Sequence, residues 1–212
     1  FLKISSLPSD LELTEIFKDF PGIGERQAGR FAHFLAQKTN AYRKNLSMAI
    51  EEVSDLVSVC QTCHRLFTKR NDGRDRCDRC EKFHEKAESI IVVEKDADLT
   101  PLERIPDFHG VFFVLGGTVP LIEENVPSFV RSKELLKLVE KMSSEKTLKE
   151  VILAFSLTTN GEYTEEYISK ILSSLSEKYN FKVTKLGRGL STGSELEYCD
   201  RDTIKSAFLN RN

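Results

Sequence analysis

Cys60-Gln-Thr-Cys63 and Cys77-Asp-Arg-Cys80, separated by thirteen residues from His64 to Arg76, are two Cys-x-x-Cys pairs that close one loop. Two thiolates separated by two residues can turn back onto one cation, and two such knuckles complete the closed tetrahedral shell that Zn2+ prefers. Four protein ligands leave no open position, so the pattern implies one structural zinc and no metal-activated water. Asn71, Asp72 and Gly73 signal a turn, and Leu66 and Phe67 are the loop's large apolar residues, so the segment lacks a core of its own. Metal binding in isolated fingers is worth roughly 10–16 kcal/mol, enough to decide whether such a segment folds. Two disulfides, or four unrelated thiols, are the competing readings. The N-terminus has no basic-then-apolar export layout, which argues for a reducing compartment and therefore for metal. His64 and His84 border the cysteines; with four thiolates available, both are read as surface residues.

The chain has 212 residues, 40% hydrophobic and 30% charged, a composition that permits a sizeable core and a well-solvated surface. No apolar run approaches the ~18 residues needed to cross a bilayer, so a cytoplasmic location is expected. The sequence begins at Phe1, without a start methionine. A net charge of -2 conceals an asymmetry. From Lys18 to Lys44 there are six basic and two acidic residues, and from Cys60 to Lys86 eight basic and five acidic. Two basic windows in an otherwise acidic chain suit a protein that presents one face to nucleic acid and another to a protein partner.

Leu13, Ile16, Phe17 and Phe20 lie at helical spacing, with Ser9 or Asp10 placed to cap the helix. Phe20-Pro-Gly-Ile-Gly24 follows as a turn in which backbone can approach a ligand closely. Ala28, Phe31, Ala32 and Leu35 then mark a second amphipathic helix. Its first N–H groups would point outward at the positive end of the helix dipole, a phosphate-binding arrangement that Gly22 and Gly24 leave open. Arg26 and Arg30 lie one turn apart and would flank that phosphate. The pattern is that of a helix-hairpin-helix, which holds the sugar-phosphate backbone without reading bases. A plain helical corner is the competing reading. A third helix is expected over Asn45–Val59, with Leu46, Ala49, Ile50, Val53, Leu56 and Val57 facing a core.

From Ser89 the texture changes. Ile90–Val93, Val111–Leu115 and Val151–Phe155 are continuous β-branched or aromatic runs suited to strands buried on both faces. Helices are predicted over Ser132–Met142 and Thr164–Lys178, and the alternation implies a mixed α/β fold with a parallel sheet covered by helices. Glu94, Asp96 and Asp98 follow the first strand, where carboxylates can hold Mg2+; a solvated loop with helix-capping aspartates is the alternative. The second strand is followed by Gly116-Gly117 and no carboxylate pair, so a two-metal site would be incomplete. A GxxxxGK phosphate loop is absent. Small residues from Gly187 to Gly193 surround Arg188 in a loop expected to pack closely, with another subunit as one candidate surface. Leu196 and Tyr198 are expected to face one way and Glu195 and Glu197 the other. Cys199 reads as a small buried hydrophobe, and Thr203–Leu209 as a closing helix.

Taken together these residues resemble the bacterial RecR family of recombination mediators over essentially the full length. The resemblance rests on Pro21-Gly22-Ile23-Gly24 with Arg26, Ala28 and Arg30; the four cysteines; Val92-Val-Glu94 with Asp98; Phe113–Gly117; Gly161-Glu162 with Thr164; and Leu186–Gly189 leading to Gly193, Leu196–Tyr198 and Asp200. It implies a helix-hairpin-helix module over residues 1–58, a four-cysteine zinc finger over 59–85, a Toprim domain over 86–180 and a small C-terminal region over 181–212 that contacts other subunits. It further implies a non-enzymatic DNA clamp, a homo-oligomeric ring that is often tetrameric. Such a clamp works with RecO and RecF to load RecA onto gapped or single-stranded DNA. Carried over residue by residue, Arg26 and Arg30 are DNA-binding positions, Glu94 and Asp98 Toprim acidic positions, and Glu162 an acidic position linked to RecO. Glu25, the long interval between the cysteine pairs, and Pro120–Asn125 depart from the family pattern. The alternatives are a Mg2+-dependent Toprim nuclease using Glu94, Asp96 and Asp98, and a zinc-finger interaction module that never touches DNA.

Overall fold

The computed structural model describes residues 8–70, 72–83, 86–106, 108–121, 126–145, 147–187, 190, 193 and 195–209. They fall into two compact units, Phe1–Val57 and Ser58–Asn212.

The first unit holds helices α1 (Pro8–Lys18), α2 (Glu25–Ala36) and α3 (Asn40–Leu56). α1 and α2 pack through aromatic rings. Phe17 lies edge-on to Phe31 at 5.6 Å between centroids and beside Phe20 at 5.7 Å. Ala28 and Ala32 on α2 are fully buried, because only a small side chain fits where the helices approach. α3 begins earlier than its periodicity suggests, since Thr39 caps it by accepting a hydrogen bond from the Tyr42 amide at 3.3 Å. Arg43 donates to the Leu35 and Ala36 carbonyls at 3.4 and 3.3 Å, satisfying the end of α2. The expected core face of α3 is not buried. None of its side chains reaches full burial; Ile50 is 64% exposed, and Val53 and Leu56 are each 54% exposed. Helical periodicity reports that a face is apolar and is silent on what covers it.

In the second unit the chain leaves α3 directly into β1 (Val57–Val59), which ends the expected third helix three residues early. β1 pairs with β2 (Leu66–Thr68), and α4 (Asp78–Phe83) begins inside the second cysteine pair. Then come β3 (Ser89–Val93), a 3-10 turn at Asp96–Asp98, α5 (Leu99–Leu102), β4 (Val111–Val114), α6 (Ser132–Ser144), β5 (Glu150–Ala154), α7 (Thr159–Tyr179) and β6 (Lys182–Lys185). A second 3-10 turn at Leu196–Tyr198 precedes α8 (Arg201–Leu209).

The four strands β3 to β6 form one parallel sheet in the order β4-β3-β5-β6. Ile90 aligns with Val111 on one side and Val151 on the other. Alternate residues serve opposite faces. Ile90, Val92, Val111, Phe113, Val151 and Leu153 pack with Leu135, Val139 and Met142 of α6 and Ile168 and Leu172 of α7. Ile91, Val93, Phe112 and Val114 form a smaller core with Leu99 of α5. Burial on both faces is what the continuous apolar runs demand. β6, Lys182-Val-Thr-Lys185, lies outside the strands that the apolar runs predict; it is a short edge strand with exposed lysines at both ends. Lys185 nevertheless pairs with Glu165 of α7 at 2.5 Å, which accounts for a buried carboxylate on that helix. α7 starts at Thr159, earlier than expected, because Thr158 accepts from the Gly161 amide at 3.1 Å.

The C-terminal segment departs from the expected pattern. Glu195–Tyr198 does not alternate like a strand; Leu196–Tyr198 is a 3-10 turn with Leu196 and Tyr198 both exposed. Cys199 is half-buried rather than buried. Asp200 caps α8, accepting from the Thr203 amide at 2.9 Å. Arg188, Gly189 and most of the small-residue loop lie outside the described residues, as do His84 and Ile122–Asn125. Among the described residues no helix is long and apolar enough to cross a membrane.

Candidate functional site

The two cysteine pairs converge. All four Sγ atoms lie within 4.8 Å of one another, every one of these cysteines is buried, and none is in a disulfide. Cys63 and Cys77 Sγ are 3.6 Å apart. Bonds of ~2.3 Å in a tetrahedral Zn–S4 centre place sulfurs about 3.8 Å apart, so the donor set fits Zn2+. The first knuckle is shaped by backbone bonds, His64 N to Cys60 O at 2.9 Å and Cys60 N to Arg65 O at 2.9 Å, and by His64 itself at a left-handed φ of 57°. Thiol chemistry follows from the crowding. Cys60 is driven far below an ordinary thiol because Cys63, Cys77 and Cys80 all donate to it. Cys63 and Cys80 are pushed far up, first by that bond to Cys60. Cys77 lies at about 7, raised by Cys60 but lowered further by Cys63 and Cys80. The protein groups alone favour a partly ionised set; a dication is what lets all four ionise.

His64 is not a surface residue. Its ring packs edge-on against Phe113 at 5.3 Å, half-buried and outside the sulfur cluster. Burial, then the charge of Arg131, lowers its pKa and keeps it neutral at pH 7.

The four-cysteine module is fastened to the edge of the sheet. β4 is an edge strand, and its Val114 amide donates to Cys63 O at 2.8 Å. Arg79, inside the second cysteine pair, donates to Gly110 O at 3.0 Å and Phe108 O at 2.6 Å. Its guanidinium lies over the Phe112 ring at 4.2 Å. The Leu66 amide donates to Asp96 Oδ1 at 2.7 Å, and Arg65 pairs with Glu103. Arg65 and Arg79, counted in the basic window as facing nucleic acid, are therefore structural. Arg79→Ala should orphan two carbonyls and remove the ring contact. We expect a loss of about 2–3 kcal/mol in urea unfolding, with zinc stoichiometry unchanged before the transition.

The acidic positions divide. The strand order reverses between β3 and β5, which makes the carboxyl end of the sheet between them its topological switch point. Glu94 sits there, accepting from Ser156 Oγ at 2.9 Å. A side chain at Gly161 would place Cβ 2.1 Å from Ser156 O, so glycine is what lets α7 start this close to the loop. Glu162 is exposed on the first turn of α7. Asp98 accepts from the Lys95 amide at 2.9 Å and serves as a cap, while Asp96 holds β2. Among the described residues, only the four cysteines bring three or more metal-ligating groups together. Glu94, Asp96 and Asp98 do not form the shared cation site that the nuclease reading requires.

In the first unit the turn between α1 and α2 closes through Ile23 N to Phe20 O at 3.1 Å, with Gly22 at φ +77°. That φ favours glycine. Gly24 is the N-cap of α2 and offers no side chain to its first amides. A Cβ at either glycine would meet nothing within 4 Å, so the turn is open to an approaching group. Arg26 and Arg30 are exposed; Arg30 makes a long contact with Gln27 Oε1 at 3.5 Å, and Arg26 has no ion-pair partner among the described residues.

A Toprim domain model matches residues 88–187, and a model described as RecR, C-terminal, matches 189–212. Recombination protein RecR of Gloeobacter violaceus is 35% identical over 94% of both chains. The RecR proteins of Prochlorococcus marinus, strain AS9601, and Chloroherpeton thalassium are 34% and 31% identical, covering 92% and 94% of this chain and 91% and 94% of their own. The chain belongs to the RecR family.

Several residues that shape this RecR-family chain are not among those the sequence singles out. Ser156 and Thr158 orient Glu94 and cap α7; the Ser-x-Thr just before a helix is the available signal. Arg131 donates to Val114 O at 3.1 Å beside Gly116, whose φ is +98°. Nothing local in the sequence announces that contact.

Proposed function

We propose that this RecR-family chain is a non-enzymatic DNA-binding clamp in recombinational repair. The open glycine turn carries the reading: Gly22 and Gly24 leave the first amides of α2 accessible, with Arg26 and Arg30 exposed beside them. Amides at a helix start together with two cations bind phosphate without reading bases. One Zn2+ on Cys60, Cys63, Cys77 and Cys80 would hold the finger against the sheet and take no part in chemistry. Glu94, Asp98 and exposed Glu162 form the acidic positions for a protein partner, of the RecO and RecF type that the family resemblance implies, in loading RecA on gapped or single-stranded DNA. Exposed apolar residues on α3 and at Leu196, Tyr198 and Phe208 support contacts between subunits in a tetrameric ring.

Light scattering with a gapped duplex tests this directly. A tetramer-sized particle should gain DNA at low salt and release it at high salt. A monomer indifferent to DNA would overturn the clamp and favour the zinc-finger interaction module. Supercoiled plasmid incubated with the protein and Mg2+ should stay intact; nicking that vanishes with Glu94→Gln would instead establish the nuclease.

A further inference from the structure

Beyond β2 the zinc module carries a groove of about 210 Å3 lined by Phe67, Thr68, Arg70, Arg74, Arg76 and Asp78. Three arginines and one carboxylate line it. Asp78 accepts from Arg70 at 2.6 Å and from Arg74 at 3.3 Å, and Arg74 also donates to Asp72 at 2.6 Å. Arg70 and Asp78 are both more than half exposed, so water screens their pair and an incoming anion can compete for it. The aspartates do fix where two of the arginines sit. Arg76 has no ion-pair partner among the described residues. Phe67 packs on the sulfur cluster and also lines the groove, so its ring position is set by the metal site.

Guanidinium forks match phosphate oxygens, and an aromatic ring beside them offers a stacking surface to any base. The space is too small for a duplex and open enough for one phosphate with its sugar or base. We infer that this groove holds single-stranded nucleic acid, with Arg70 and Arg76 on a backbone phosphate and Phe67 against a base. The inference rests on the DNA-binding reading above and adds a second contact, distinct in its residues and its substrate from the hairpin.

Fluorescence anisotropy with oligothymidylate and with a blunt duplex, over a series of salt concentrations, separates the two. For the R70Q/R76Q variant we expect oligothymidylate binding to weaken roughly tenfold and its log–log salt slope to fall by about 0.7, the value for one fewer neutralised phosphate on a single strand. Duplex affinity and zinc content should stay unchanged. Wild-type binding to duplex but not to oligothymidylate, or an R70Q/R76Q variant with unaltered oligothymidylate affinity and slope, would overturn the groove and leave the hairpin reading standing. Equal weakening on both DNAs would also overturn it, reducing the arginines to a general positive field. Wild-type protein that binds neither DNA would sink the DNA-binding reading and the groove together.

Discussion

Stripping the metal, or making Cys77→Ser, is expected to unfold residues 58–83 and to lower the melting temperature of the chain by roughly 10 °C or more. The module has little else to hold it. Its own buried cluster is the four cysteines with Phe67 beside them, and its regular structure is two three-residue strands and a six-residue helix. Without a cation, four crowded thiols must share protons, and Cys63 and Cys80 keep theirs, held first by their bonds to Cys60. The damage should spread. Cys63 O satisfies the Val114 amide on the edge strand, and Arg79 satisfies Gly110 and Phe108. Losing the module would expose the edge of β4, which invites pairing with another chain. Thermal melts with and without a chelator, alongside thiol and zinc counts, test this: one zinc per chain is expected, with concentration-dependent aggregation after its removal. An unchanged melt in metal-free protein would mean that the sulfurs pack as a core and need no ion.

The double substitution Arg26→Ala and Arg30→Ala should leave the fold intact and weaken duplex binding on the order of tenfold to a hundredfold at moderate salt. Both side chains are exposed and contribute nothing to the buried alanines of α2, so melting should be unaffected. Each phosphate that the protein no longer neutralises lowers the log–log salt slope for B-DNA by about 0.9, so losing the one that both arginines flank should lower it by about 0.9 per engaged chain. Weaker affinity with no change of slope would point to an indirect effect. Circular dichroism at matched salt distinguishes that case from local unfolding.

Much of this is legible where the signal is local. The two cysteine pairs announce their convergence because ligand spacing within a knuckle is set by a few bonds, and the loop has no competing apolar core. β3, β4 and β5 are continuous apolar runs, and a strand buried on both faces has to be one. β6 is not, since Lys182-Val-Thr-Lys185 sits at an edge where half its surface meets water. What stays hidden is long-range. Arg79 reaches carbonyls 29 and 31 residues away, and Asp96 holds an amide 30 residues back. Such pairs leave no periodicity, so in sequence Arg79 counts as part of a basic window and Asp96 reads as a helix-capping aspartate or, in the nuclease alternative, a metal ligand. The face of α3 misleads for a different reason: its stripe is real, and Ile50, Val53 and Leu56 remain exposed within one chain.

The measurement that bears most directly on the clamp is duplex affinity as a function of salt, for two DNAs of unrelated sequence, with wild-type and Arg26→Ala/Arg30→Ala protein. Backbone contact through the hairpin gives wild-type protein the same affinity for both DNAs and a linear fall of log K with log salt, with a shallower slope for the variant. A strong preference for one sequence, or a variant whose affinity and slope equal those of wild type, would contradict it.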